Sequence, residues 1–179
     1  RRERLTDELP QSGSGKSIMT TQPKFVPSEA VSVTLDDQSA VRVRMVDSVG
    51  YLVEGALGTE EDGASRMVHT PWFDYDIPFE QAAEIGTRKV ITDHATIGLV
   101  VTTDGSIADL SREAYQPPEE RVVRELKEIG KPFILILNSR HPEAEETLAL
   151  RQRLSERYGV PALSLNVKEM GLPEIQQVF

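Results

Sequence analysis

The chain has no cysteine among its 179 residues. That excludes disulfides and thiolate metal sites and is compatible with the cytosol. Positive charge is also short: 20 Lys and Arg face 29 Asp and Glu, a net charge of -9. An acidic chain gains nothing from a nucleic-acid backbone and little from an anionic membrane surface, so neither is expected as a partner. No apolar run is long enough to span a bilayer, so direct membrane insertion is not expected. Histidine is sparse, and His69, His94 and His141 do not fall into any metal-ligand spacing. His94 closes a helical pattern and is expected to complement the helix dipole. What remains is ordinary for one globular domain with a sizeable core.

The pattern along the chain is α/β. A switch-like loop is expected over 10–30, after a short helical start at Arg1-Glu8. The spacing predicts a hairpin over 31–47, from Val31-Ser32-Val33-Thr34-Leu35 and the strand Val41 to Asp47. A long irregular stretch covers 51–78, rich in Gly, Pro and acids, and loops of that length are usually functional or mobile. It holds an aromatic patch, Trp72-Phe73-Asp74-Tyr75, read either as packing onto the domain or as an intersubunit contact. From 79 to 179 helical and buried-strand patterns alternate. Phe79 to Asp93, Pro117 to Ile129 and Glu143 to Tyr158 read as helices. Ile97 to Thr103, Pro132 to Asn138 and Pro161 to Val167 read as strands, with a last helix from Leu172. That order predicts a mainly parallel sheet with helices on both faces. A leading hairpin narrows it to nucleoside-triphosphatase-like α/β folds, that is, a P-loop NTPase-like fold. Such folds carry a first strand and phosphate loop ahead of the hairpin. Both are missing here and are expected upstream of Arg1.

Three places could carry chemistry. Val46-Asp47-Ser48-Val49-Gly50 is an apolar strand running into Asp-x-x-Gly. An acid at such a strand end can hold the water shell of Mg²⁺, and the glycine lets a backbone N–H approach a terminal phosphate. The same four residues also describe an ordinary turn. Thr20 and Thr21 lie in the loop before the hairpin, where a threonine can ligate Mg²⁺ and sense the terminal phosphate. Asn138 ends a buried strand where a guanine-specific enzyme has Asn-Lys-x-Asp. Here the run is Asn138-Ser139-Arg140-His141, without the lysine or the discriminating carboxylate. That argues against guanine specificity. Gly15-Lys16-Ser17 mimics the tail of a phosphate loop, but Pro10 stands where the loop needs its first glycine.

Several blocks together resemble the stage IV sporulation protein A family, which builds the basement layer of the spore coat. They are Asp7-Glu8-Leu9-Pro10-Gln11-Ser12, Ile18-Met19-Thr20-Thr21, Pro23-Lys24-Phe25-Val26-Pro27, Val46 to Tyr51, Ala83 to Val90 and Thr102-Thr103-Asp104-Gly105. The resemblance implies the family's ATPase domain, a relative of the translation-factor GTPases, with ATP and Mg²⁺ as cofactors and a switch from GTP to ATP. It implies catalytic Thr20, Thr21 and Asp47 and a metal bound by Asp47 and Thr21; nucleotide contacts at Gly50 and Asn138 are expected from the patterns read above. It also implies self-polymerisation, with other coat and forespore-surface proteins bound through domains absent here. The implied location is cytoplasmic, on the mother-cell side of the forespore surface. The family's Walker A lysine would precede Arg1, so this chain alone is expected to be inactive. Two rival readings stay open: a nucleotide-independent assembly module, and a GTPase with degenerate base recognition.

Overall fold

In the computed structural model the described residues are 24–35, 37–56, 59–61, 63–70 and 72–179. Thr20, Thr21, Lys16 and the helical start expected at Arg1-Glu8 lie outside them. The described chain opens with β1 (Lys24–Thr34) and β2 (Ala40–Asp47), paired as a two-stranded sheet. In β2, Val41 and Val43 are half-buried while Arg42 and Arg44 are exposed, the period-two pattern of a strand with one covered face; the alternation breaks at Met45, which is exposed before half-buried Val46. The turn between the strands is closed by the Leu35 N–H donating to the Ser39 carbonyl at 2.8 Å. Asp37 Oδ1 accepts the Ser39 N–H at 2.8 Å. β1 starts seven residues before the expected Val31 and runs through Pro27. A ribbon of two strands tolerates a residue without an N–H, since half of its backbone groups face no neighbouring strand.

The stretch expected to be irregular contains two small antiparallel pairs. β3 (Glu60–Glu61) meets β4 (Ala64–Ser65), and β5 (Met67–Val68) meets β6 (Ile77–Pro78). Pro78 then leads into α1 (Phe79–Lys89), which continues as one π-helical turn over Val90–His94. Phe79, Ala82, Ala83, Gly86, Thr87, Val90 and Ile91 are buried, a single apolar stripe at helical spacing. The Lys89 ammonium sits 5.9 Å from the Trp72 ring centroid, so Trp72 packs toward α1. Phe73 and Tyr75 stack with centroids 5.3 Å apart, and Tyr75 stays exposed. His94 is exposed at the helix end with its ring edge-on to Phe25 at 5.8 Å.

The remaining elements are β7 (Gly98–Thr103), α2 (Arg112–Ile129), β8 (Phe133–Asn138), α3 (Glu145–Tyr158), β9 (Ala162–Leu165) and α4 (Leu172–Val178). The three strands form a parallel sheet in the order β7-β8-β9, flanked by helices, as expected of a P-loop NTPase-like α/β fold. The core here is Val100, Val123, Leu126, Leu135, Leu137, Leu154 and their neighbours. Gly98 is needed for the fit: a Cβ there would stand 3.1 Å from Phe133 Cβ and 3.3 Å from Leu126 Cδ2. The chain divides into two compact units, Arg1–Val31 with Val43–Ala95, and Ser32–Arg42 with Thr96–Phe179.

α2 begins at Arg112, five residues before the expected Pro117, and carries Pro117 and Pro118 inside it. Two internal prolines cost backbone hydrogen bonds. A buried polar cluster brackets this stretch of the helix. Arg112 donates to Glu119 Oε1 at 2.8 Å and to Thr102 Oγ1 at 3.1 Å, and the Tyr158 hydroxyl donates to Glu119 Oε1 at 2.7 Å. The spacing of seven residues puts Arg112 and Glu119 on one helix face, two turns apart. The cluster thus fixes the first turns of α2 against β7 and the end of α3. Burial, then the hydrogen bond to Glu119 and its negative charge, push the Tyr158 phenol pKa well above its usual range.

Glu119→Ala is expected to destabilise the folded protein by about 3–5 kcal/mol, because it strands the Arg112 charge in the interior. Tyr158→Phe should cost less, about 1.5–3 kcal/mol. Urea unfolding of the two variants measures the difference. The sign of the pH dependence follows from Tyr158. Its pKa is raised in the folded chain, so the unfolded chain ionises first. Its contribution is full below about pH 10 and is lost as pH rises above that value, which unfolding titrations at high pH would read.

Candidate functional site

In the first unit the strand β2 delivers Asp47 to its carboxyl end, and the chain turns at Gly50. Gly50 has φ +77, and a Cβ there would meet nothing within 4 Å. The open space and left-handed backbone are what a close approach to a ligand requires. The Asp47 carboxylate is exposed, yet desolvation by the surrounding chain raises its pKa, with the Ser48 backbone N–H working against that rise. The Gly50 N–H donates to Thr87 Oγ1 at 3.0 Å, and the same hydroxyl donates to the Gly50 carbonyl at 3.2 Å. Thr87 is buried on α1. The turn that follows the strand-end acid is therefore held on a helix 37 residues away in sequence.

In the second unit the parallel register levels the carboxyl ends of the strands. Thr103 pairs with Asn138, and Asn138 pairs with Leu165. Residues just past these positions share one edge, where open α/β sheets bind ligands. Asn138 Oδ1 accepts the Val167 N–H at 3.0 Å, so the carboxamide ties β8 to the segment after β9. Its amide nitrogen is the end left to contact a ligand. Beside it lies a hydroxyl and carboxylate cluster. Asp104 Oδ1 accepts from Ser106 Oγ at 2.6 Å and from the Ser106 N–H at 2.9 Å. Asp104 Oδ2 accepts from Ser139 Oγ at 2.5 Å and from Thr147 Oγ1 at 3.3 Å. Desolvation raises the Asp104 pKa, but the hydrogen bonds from Ser106, Ser139 and Thr147 outweigh it and leave the carboxyl below its usual range.

Asp47 and Gly50 therefore lie in the first unit and Asn138 in the second, while Thr20 and Thr21 lie outside the described residues. Among the described residues no group of three or more acids, histidines or cysteines could hold a metal. A lone hard carboxylate still suits Mg²⁺, which keeps several waters and takes its other oxygens from phosphate. Among the described residues Asp47 is thus a single oxygen donor of the kind Mg²⁺ takes. Thr87 and Asp104 were not among the residues singled out as site candidates. Thr87 has no local signal, being an ordinary helix residue far from its partner. Asp104 follows a buried strand and precedes Gly105, which reads simply as a strand stop.

The chain matches, over residues 1–179, the family described as stage IV sporulation protein A, ATPase domain. It is 54% identical over 179 residues to stage IV sporulation protein A of Clostridioides difficile (strain 630), covering 100% of this chain and 36% of that protein. Against the protein of the same name from Bacillus subtilis (strain 168) it is 54% identical over 178 residues, 99% of this chain and 36% of that one. The Bacillus anthracis protein of that name is 52% identical over 178 residues, with the same two shares. The chain thus spans about a third of the length of these curated relatives. No solved structure matches it.

The Thr87 contact makes one direct prediction. Thr87→Val keeps the side chain's shape and removes the hydroxyl. Amide hydrogen exchange at Gly50 should then speed up by roughly fivefold, the worth of about one net hydrogen bond. Thr87→Ser should leave the protection in place.

Proposed function

The chain belongs to the stage IV sporulation protein A family, in its ATPase domain, and from that premise we propose that its full-length protein hydrolyses ATP to drive self-assembly of the spore coat basement layer. The observation that carries this reading is the pairing of Asp47 at a strand end with Gly50 at φ +77 in open space. Those two features are what a Mg²⁺-dependent phosphoanhydride hydrolase needs at that place.

When bound, Mg·ATP would supply the phosphoanhydride and a Lewis acid that neutralises charge on its phosphate oxygens. Asp47 holds the metal's water shell. Its carboxylate is accessible and desolvation raises its pKa, so a cation beside it would offset that desolvation. Gly50 offers its N–H to the terminal phosphate in exchange for Thr87. Thr20 and Thr21 serve as metal ligand and phosphate sensor, and Asn138 meets the base through its free amide. The polymer partner is the protein itself. Other coat and forespore-surface proteins bind other parts of the full-length protein, on the cytoplasmic, mother-cell side of the forespore. Among the described residues no helix is long and apolar enough to cross a membrane.

Asp47→Asn in the full-length protein is the test. ATP turnover should fall by about a hundredfold, with the circular dichroism spectrum unchanged. Unaltered turnover would remove Asp47 from the mechanism.

A further inference from the structure

The turn after β8 is held by a relay rather than by contacts of its own. The Arg140 N–H donates to Ser106 Oγ at 3.0 Å, and the His141 N–H donates to Ser139 Oγ at 2.9 Å. Each hydroxyl passes its own proton to a different oxygen of Asp104, Ser106 to Oδ1 and Ser139 to Oδ2. One carboxylate therefore fixes two consecutive backbone N–H groups through two hydroxyls. The Ser139 N–H continues the ladder to the Leu165 carbonyl at 2.9 Å. With three successive N–H groups engaged, the turn has a single placement. The Arg140 and His141 side chains are left exposed on it, next to Asn138.

We infer that Asp104 is a positioning residue for recognition of the nucleotide base, holding Ser139-Arg140-His141 in the pose that selects adenine. This rests on the reading of Asn138 as a nucleotide contact. The chemistry follows from the donor inventory. Both Asp104 oxygens accept, so both hydroxyls must point their protons at it and their lone pairs at the turn. An asparagine presents one oxygen and one NH₂, so the hydroxyls on one side lose the acceptor for their protons and the hold of the relay on the turn loosens. The exposed guanidinium of Arg140 is planar and can lie over a purine ring, while Asn138 contributes a donor. Neither residue makes the acidic pair of contacts that guanine requires, so their placement sets the preference.

The test uses the full-length protein and its Asp104→Asn variant, with ATP and GTP as probes. Asp104→Asn should raise KM for ATP by about tenfold and pull the ATP-to-GTP ratio of kcat/KM toward one, with kcat changed less than about threefold. A purely structural role would lower kcat and the melting temperature without changing the ratio. KM and ratio both unaltered in a folded variant overturn the inference. Should Asp104→Asn fail to fold, Ser106→Ala decides, since it removes the hydroxyl that links the Arg140 N–H to Asp104 and leaves the carboxylate itself in place. A KM rise of about threefold with a reduced ratio supports the relay, and wild-type values overturn it. Wild-type protein that hydrolyses no ATP overturns the proposed hydrolysis and this inference with it. Wild-type turnover with unaltered variants overturns the inference alone.

Discussion

Parallel pairing forces strand ends of one polarity onto one edge. In the second unit the ladder from Gly98 opposite Phe133 to Thr103 opposite Asn138, extended by Asn138 opposite Leu165, brings three carboxyl termini level. Every polar group of interest in that unit depends on this alignment. Asp104, Asn138 and Ser139 are neighbours because each follows or ends a strand at the same height. A slip of one residue in β8 would turn its buried side chains to the opposite face and separate the Ser139 hydroxyl from Asp104. The apolar core of Leu135, Leu137 and Leu126 holds the register, so hydrophobic packing sets the polar geometry at the edge.

A second anchor works at the opposite scale. Arg112, Glu119 and Tyr158 place a charge pair in the interior, with side chains 12% and 2% exposed for the two ions. Buried pairs rarely add net stability over an apolar replacement, since desolvation consumes the attraction. Their value is that only one arrangement satisfies them. Here that arrangement sets where α2 starts and how it meets β7.

The architecture was legible because buried parallel strands are written as continuous apolar runs. Phe133 to Leu137 could hardly be anything else, and the glycines after Ile129 and Tyr158 marked both helix ends. Asp47 and Gly50 were legible as a local pattern. The rest depended on distance in sequence. The prolines at 117 and 118 suggested a helix start, and only the partner of Arg112 explains why the helix runs five residues earlier. Pro27 suggested a loop, yet a ribbon edge accepts it. Thr87 and Gly50 are 37 residues apart, and Asp104 and Ser139 are 35 apart, so neither pairing leaves a trace in any short window.

The Thr87 hydroxyl holds Gly50 at two points at once, by accepting from its N–H and donating to its carbonyl. A double attachment of this kind permits partner exchange without detachment. An anion that takes the N–H leaves the carbonyl bond in place, and the freed hydroxyl lone pair turns to water. The turn then keeps its tether while its donor changes hands. The cost of the exchange is one hydrogen bond rather than a loop's worth of conformational freedom.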